Sequence, residues 1–362
     1  RWAALIGPET LEQLNERVIE LARSLKVTRG RKLRVDSTVV EATIHHPTDS
    51  RVVGDGVRVL SRLLRRAQPV VAEAPGLSRR VCQGHTRSIR RLAQQIHRLT
   101  RRTGEAAAEE MRTTYQRLTA LGRQTCAQVV RVRRVLADQA GSAAPRLTAP
   151  IDHFLPLVER AIEQAERRVL RGENVPATDK IVSLFELHTQ ILRRHKAGKP
   201  VEFGRKLWLE EVDGDLVSGY RLLAEAGQDQ DYLADSLTAH QRRFGHPPWL
   251  LTGDRGVSSP TNEVLARQAG VRHIALPATG KVPAARQAAE RTPQFRRADR
   301  FRAGIEGRIC VLQRDFGLAR CPDHGADGMA RWIGWGILTH NLAKISHSVA
   351  RRPAPRPARS AA

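Results

Sequence analysis

The chain has 362 residues, and its 61 Lys and Arg against 37 Asp and Glu give a formal net charge of +24. With 41% hydrophobic residues, the composition supports a folded core and excludes a wholly disordered basic protein. A positive excess this large indicates a polyanionic partner, and we infer nucleic acid. No apolar run reaches the ~18 residues that span a bilayer, so we expect no membrane partner.

The four cysteines are widely scattered, without a Cys-x-x-Cys pair or a repeated spacing. This pattern predicts neither a disulfide framework nor a four-ligand zinc site. It is typical of a reducing compartment, and we expect a cytoplasmic protein.

The first two predicted elements are a helix and a strand. Residues 8 to 25 repeat apolar side chains at helical spacing, which predicts an amphipathic helix. Its buried face is predicted to carry Leu11, Leu14, Val18, Leu21 and Leu25. Residues 32 to 42 alternate and are rich in valine and threonine, which predicts a strand with Asp36 in its middle.

Residues 57 to 172 have a different composition. Between residues 57 and 150 there are 19 arginines, no lysine and five acidic residues, so this stretch carries +14 of the net charge. Apolar residues recur there at helical spacing, which predicts an all-helical insertion with a basic outer face. We expect this face to contact DNA phosphates through Arg65, Arg66, Arg90 and Arg91. The alternative is that these arginines only solvate an ordinary helical surface.

After Gly172 the pattern alternates between strands and helices. An Asp-Gly pair at 213 and 214 separates two alternating runs and predicts a hairpin. Ser259 and Pro260 have the residue types of an N-cap and a first helical position. The predicted strands are residues 180–193, 203–212, 216–223, 248–254 and 271–276. The predicted helices are residues 231–243, one from 260 to 270, a stripe from Ile305 to Phe316, and one from Trp335 to Val349.

Three acidic residues on separate elements are candidates for metal chemistry. Asp36 lies within an apolar strand, where an unpaired carboxylate is expensive to desolvate. Asp254 follows a short apolar strand, at the end where α/β sheets commonly bind ligands. Glu306 lies one helical turn after Arg302. Three carboxylates suit a hard ion such as Mg²⁺ or Mn²⁺. Each also has an ordinary alternative: Asp254 as a turn former and Glu306 with Arg302 as a surface ion pair.

Four segments together resemble a known family of enzymes. They are RVDSTVVEA around Asp36, LTGDRGVSSPTNEVLARQAGV around Asp254, RAGIEGRICVLQRDFGLAR around Glu306, and the later GWGILTHNLAKISH. Their order is similar to that of DDE transposases of bacterial insertion sequences. The segments VDSTVVEATIHHPTDSRVVGDGVRVLSRLLRRA and VPATDKIVSLFELHT resemble the ISNCY-type group, whose members carry long helical insertions.

The resemblance implies an α/β fold with an RNase H-like core, a mixed sheet flanked by helices. It also implies that Asp36, Asp254 and Glu306 hold two Mg²⁺ or Mn²⁺ ions for DNA cleavage and strand transfer. Glu263 is the alternative third ligand. The partners implied are the double-stranded DNA of the element ends and the target, with a homo-oligomer assembled on that DNA in the bacterial nucleoid. The alternatives are a DNA nuclease on the same fold and an inactive or domesticated DNA-binding remnant.

The sequence departs from the family around the third acid. Many relatives have Tyr and Lys where this chain has Asp299 and Gln313, so those two DNA contacts are in question. Arg302 matches the family pattern and Arg314 follows Gln313, and we expect both arginines to contact DNA. The resemblance divides the chain into the end of an N-terminal helical region (1–30), a core in two parts (31–56 and 173–350), the helical insertion (57–172) and a disordered basic tail (351–362).

Overall fold

The computed structural model describes residues 5–72, 79–138, 143–193, 200–223, 227–278 and 280–352. The chain divides into two compact units. Residues 1–43 and 192–362 form the first, here called the sheet unit, and residues 44–191 form the second, here called the helical unit. The residue range of the helical unit includes the predicted insertion of residues 57–172. The predicted tail lies outside the described residues from residue 353 onward.

The described residues form a mixed α/β protein, as the sequence predicts. The helices are α1 (Pro8–Ser24), α2 (Asp49–Val71), α3 (Thr86–Leu99), α4 (Glu105–Ala137), α5 (Ala143–Ala165), α6 (Leu233–Phe244), α7 (Pro260–Gln268), α8 (Ala284–Glu290), α9 (Pro293–Asp315) and α10 (Gly325–Ala350). The strands are β1 (Lys32–Ala42), β2 (Gln190–Arg193), β3 (Val201–Val212), β4 (Leu216–Leu222), β5 (Leu250–Gly253), β6 (His273–Ala275) and β7 (Arg320–Cys321).

The strands form one open mixed sheet, with the order β2-β3-β1-β5-β6 and with β4 paired to β3 and β7 to β1. On one side of β1, β3 runs antiparallel, and β4 runs antiparallel to β3. On its other side, β5 runs parallel to residues 32 to 35 and β7 runs parallel to residues 41 and 42. The middle of β1, which contains Asp36, therefore lies at the gap between β5 and β7.

Turn and cap residues in the sequence correctly predicted where several of these strands and helices begin and end. The hairpin between β3 and β4 turns at Gly214 and Asp215, which have φ angles of 86° and 62°. Helix α7 begins at Pro260, and the Ser259 side chain accepts a hydrogen bond from the backbone N–H of Asn262. Cap and turn residues act over a few positions, so they can be identified without the rest of the chain.

The predicted buried face of α1 is wrong by part of a turn. Leu11 is buried as predicted, but Leu14 and Leu21 are exposed, and the buried face continues through Asn15, Ile19 and Ala22. Asn15 can be buried because its amide donates to the Val217 carbonyl and its oxygen accepts from Asn341. These distant partners make a polar residue part of the core.

The predicted strand over residues 180 to 193 is also mostly wrong. Only Gln190–Arg193 is a strand. The backbone N–H and carbonyl of Ile181 are instead bound by the Gln164 side chain, at 2.7 and 3.3 Å. Ser183 Oγ then accepts from the backbone N–H groups of Phe185 and Glu186, which closes a turn. The alternation of apolar residues here reflects packing in the helical unit.

The helical unit has its own apolar core, in which α2 packs against α3, α4 and α5. Helix α5 approaches α2 closely because Gly56 has no side chain; a β-carbon there would lie 2.7 Å from Val158. Asp49, at the start of α2, accepts hydrogen bonds from Gln164 and Arg168. In the described part of the chain, no helix is both long enough and apolar enough to cross a membrane.

Candidate catalytic site and nucleic-acid interface

Asp36 and Asp254 occupy equivalent positions on neighbouring parallel strands. The last pair of the β1–β5 ladder is Val35 with Gly253; Asp36 is the next residue of β1, and Asp254 is the first residue after β5. Neighbouring strands lie about 4.8 Å apart, so the two aspartates begin from adjacent backbone positions. The sheet thus brings together two acids that are 218 positions apart in the sequence.

Helix α9 lies along the face of β1 that carries Asp36. The alternating residues Arg34, Asp36 and Thr38 share this face. Arg34 donates a hydrogen bond to the Phe301 carbonyl, and Thr38 Oγ1 accepts from Gln313 at 3.1 Å. These two contacts fix α9 at both ends of the segment that carries Glu306. Glu306 is therefore held on the part of the helix that passes the middle of β1.

Arg302 lies between the first and third acids. Its Nε donates to Asp299 at 2.8 Å, and its Nη1 lies 3.8 Å from Glu306 Oε1. Burial alone would lower the pKa of Arg302, but the Asp299 hydrogen bond and the charges of Asp299, Glu306 and Asp36 raise it above its ordinary value. The guanidinium is thus held charged beside Asp36 and Glu306.

The carboxylates have partial local restraints. Asp36 Oδ1 accepts from the backbone N–H of Ser37 at 2.7 Å. Asp254 Oδ1 accepts from the backbone N–H of Val257 at 3.1 Å, so Asp254 does form a turn, as the ordinary alternative predicted. That bond involves one of its two oxygens and is compatible with a ligand on the other. The Glu306 side chain is 72% exposed.

A fourth acid, Asp229, lies at this site and was missed by the sequence analysis. Its Oδ2 accepts from Ser37 Oγ at 2.9 Å, and its Oδ1 lies 2.5 Å from Lys206 Nζ. A β-carbon on Gly256 would lie 3.2 Å from Asp254 Oδ1 and 3.5 Å from Asp229 Oδ2. Asp229 therefore approaches the same backbone position as Asp254. Its partner residues are far away in the sequence, so no local pattern marked it.

The acidic side chains of this site do not form a metal centre in the structure. Among the described residues, no group of three His, Cys, Asp or Glu side chains lies close enough together to hold a metal ion. The donor types nevertheless fit a hard divalent cation, because Asp36, Asp254 and Glu306 all supply carboxylate oxygens. The Glu306 side chain is turned to solvent and to Arg302. The predicted ligand set stays a prediction.

Other predicted site residues already have ion-pair partners. Arg314 pairs with Asp315 at 2.7 and 2.9 Å in an exposed position on α9. Glu263, the alternative third ligand, lies 3.0 Å from Arg267 and 2.5 Å from Arg286. Two guanidinium groups hold Glu263, whereas Glu306 has one distant contact. This favours Glu306 over Glu263 as the acid available for a ligand.

In the helical unit, the predicted DNA-contacting arginines lie on an exposed surface. Arg65 and Arg66 are on α2, and Arg90 and Arg91 are on α3; all four are exposed. They belong to a larger set of exposed arginines that have no ion pair within the described residues. Together they are here called the basic surface, which is distributed over α2, α3, α4, α5 and the turn after α3: Arg51, Arg62, Arg65, Arg66, Arg87, Arg90, Arg91, Arg98, Arg101, Arg112, Arg117, Arg131, Arg134, Arg146 and Arg160.

Helices α2 and α3 form a groove within this surface. The backbone N–H of His85, just before α3, donates to Ser61 of α2 at 3.0 Å, and Arg90, further along α3, lies near Arg51 at the start of α2. The helices therefore run antiparallel. Two adjoining hollows of about 570 and 560 Å³ share Arg51 and Arg90 as lining residues. Asp55 lines the first hollow and pairs with Arg58 at 2.9 Å, whereas Arg51, Arg90 and Arg98 have no ion pair within the described residues, so the groove keeps a positive excess.

Comparison of the chain with protein-family models, with curated proteins and with solved structures finds no match in any of the three.

Proposed function

We propose that the protein is a DNA transposase that cleaves and joins DNA at Asp36, Asp254 and Glu306. The observation that carries this proposal is the placement of Asp36 and Asp254 directly after the last rung of the β1–β5 ladder, with Glu306 on the helix that crosses β1. The resemblance of the surrounding segments to DDE transposases supports the same assignment.

The sheet topology supports an RNase H-like core for the sheet unit. With β2 and the helical unit set aside, β1, β3 and β4 form an antiparallel series, and β5 and β6 add in parallel on the other side of β1. The resulting order β4-β3-β1-β5-β6 is that of the proposed core. In this fold the acids of the first strand, the fourth strand and a late helix meet.

The residues of the site have three separate proposed roles in phosphoryl transfer. Asp36, Asp254 and Glu306 are the groups that would hold Mg²⁺ or Mn²⁺, which supplies an activated water or 3′-hydroxyl and neutralises the departing oxygen. Arg302 keeps a fixed positive charge beside the acids, where a phosphate of the DNA would lie. Asp229, through Ser37 and Lys206, fixes the backbone that carries Asp36.

The basic surface of the helical unit is the proposed contact for the DNA duplex. Its arginines would bind phosphates, which position DNA without reading its sequence. Cleavage and joining of two element ends at one target further imply that at least two copies of the chain assemble on the DNA.

A strand-transfer reaction tests the proposal. The protein is incubated with Mg²⁺, a labelled fragment carrying the DNA that flanks its own gene, and a supercoiled target plasmid. We expect nicked fragment ends and labelled products joined to the plasmid. Nicking without joining would indicate the nuclease, and binding without nicking would indicate the inactive remnant; either result would overturn the transposase.

A further inference from the structure

A cleft of the sheet unit lies at the opposite end of the strands from the acids. It has a volume of about 990 Å³ and is formed by the starts of β1, β5 and β6 and by the first turns of α9. Lys32, Leu250 and His273, which line it, are paired with one another across the three strands. The cleft is thus a separate feature from the candidate catalytic site.

One wall of the cleft is aromatic. Trp249 is 46% exposed, although tryptophan buries much apolar area when it is packed inside a protein. The centre of its ring lies 4.2 Å from the centre of the His273 ring, and the two ring planes are inclined at 60°. Phe295 and Phe301 of α9 line the same cleft and are partly buried. Lys32 and Arg34 lie over the Phe301 ring, so Trp249 provides the exposed aromatic surface of the cleft.

The rest of the lining is basic. Lys32, Arg267, Arg272 and Arg297 line the cleft, and none of its described lining residues is acidic. Arg267 pairs with Glu263, but the other three have no carboxylate partner within the described residues. Lys32 Nζ instead lies 5.1 Å from the centre of the Phe301 ring. The cleft therefore combines the exposed indole of Trp249 with positive charge that no carboxylate of the described residues neutralises.

This chemistry selects a ligand that is both aromatic and anionic. An apolar peptide would leave three cations without a counter-ion, and a simple anion would leave the aromatic faces exposed. Unpaired bases stack on aromatic side chains while their phosphates bind cations, which is the usual way that proteins hold single-stranded nucleic acid. Bases inside a duplex have no free face to offer.

We propose that this cleft binds a single-stranded segment of DNA, with a base against Trp249 and phosphates at Lys32, Arg272 and Arg297. The inference rests on the proposed DNA substrate and adds a second contact to it. Helix α9 links the two places, because Glu306 follows Phe301 by five residues, or about 7.5 Å at 1.5 Å per residue. A strand released beside the acids would therefore pass close to the cleft.

Fluorescence anisotropy with two labelled probes tests the proposal: a single strand of about ten nucleotides and the duplex of the same sequence. Trp249→Ala and Arg297→Gln should each weaken single-strand binding at least about fivefold, the equivalent of one stacked base. Duplex binding should stay unchanged. Trp249→Phe keeps an aromatic face and should retain most of the affinity.

Arg296→Gln is the matched control, because Arg296 is exposed on the same helix turn and does not line the cleft. It should bind both probes like the parent protein. Unchanged single-strand affinity in Arg297→Gln, or an equal loss on both probes, would overturn the proposal. If a deoxynucleoside monophosphate competes as effectively as the oligonucleotide, the ligand of the cleft is a free nucleotide, and the proposal of a bound DNA strand is wrong. None of these measurements needs cleavage, so their outcome is separate from that of the strand-transfer test.

Discussion

Arg34 and Glu211 form a buried ion pair inside the sheet unit, with Nε and Nη2 of Arg34 at 2.8 and 2.5 Å from the two carboxylate oxygens of Glu211. Glu211 is completely buried, and Arg34 is nearly so. Arg308 of α9 donates a further hydrogen bond to Glu211 at 3.1 Å. This cluster joins β1, β3 and α9, and two of these elements carry Asp36 and Glu306.

Glu211→Gln should therefore destabilise the protein strongly. It removes the negative charge between two buried guanidinium groups, and breaking a buried pair in this way costs about 3–5 kcal/mol. Urea unfolding measures the change. Glu20→Gln is the control, since Glu20 pairs with Arg17 at an exposed position and should cost less than about 1 kcal/mol. Similar losses in both variants would show that the cluster does not stabilise the sheet unit.

Stability should fall as the pH drops from about 6.5 to about 4. His340 is fully buried; its Nε2 accepts from Arg308 at 3.2 Å, so its proton is on Nδ1, which faces Asn341 at 3.1 Å. Burial, together with the charge of Arg308, lowers the pKa of His340 to about 4. Between these pH values the unfolded chain binds a proton that the folded protein does not, at up to about 1.4 kcal/mol per pH unit.

The free energy of unfolding, measured at pH 7, 6, 5 and 4.5, checks this dependence. His340→Gln should reduce the fall below pH 6.5, whereas stability above that pH should change little with pH in either protein. His347→Gln, at an exposed position on the same helix, should keep the full dependence. Burial also lowers the pKa of His240 to about 4, so part of the fall should remain in His340→Gln.

The sequence predicted features that depend on neighbouring residues and missed those that depend on distant ones. The strand around Asp36 and the cap at Ser259 were identified because alternation and capping are local. The buried face of α1 was misplaced because Asn15 is satisfied by Val217 and Asn341, far away in the sequence. Asp229 was missed for the same reason, since its charge is balanced by Lys206 on β3.

Substitution of Arg65, Arg66, Arg90 and Arg91 by Gln should weaken binding to any duplex. Each lost phosphate contact should make the slope of log affinity against log salt shallower by about 0.9. The melting temperature should stay unchanged, because these side chains are exposed and unpaired within the described residues. A double variant of Arg102 and Arg133, whose side chains pair with Glu110 and Asp152, should change the slope less per residue. An unaltered slope with a lowered melting temperature would refute the DNA contact.

Mn²⁺ should raise the melting temperature of the parent protein. A ligand that binds only the folded state stabilises it by about 2.7 kcal/mol at a hundred times its Kd. Asp36→Asn and Glu306→Gln should each reduce this shift, because each removes one carboxylate ligand. Glu263→Gln should keep it, since Glu263 is held by Arg267 and Arg286. If Glu263→Gln loses the shift and Glu306→Gln keeps it, Glu263 is the third ligand.

DNA cleavage by Asp254→Asn is the most direct test of the proposal that Asp36, Asp254 and Glu306 cleave DNA. The substitution keeps the size of the side chain and the hydrogen bond to Val257, and it removes one negative charge from the position beside Asp36. Nicking of the DNA that flanks the gene is measured in Mg²⁺, alongside duplex affinity and melting temperature. We expect nicking to be lost while affinity and melting temperature match those of the parent protein. Nicking at the parental rate by Asp254→Asn would contradict the proposal.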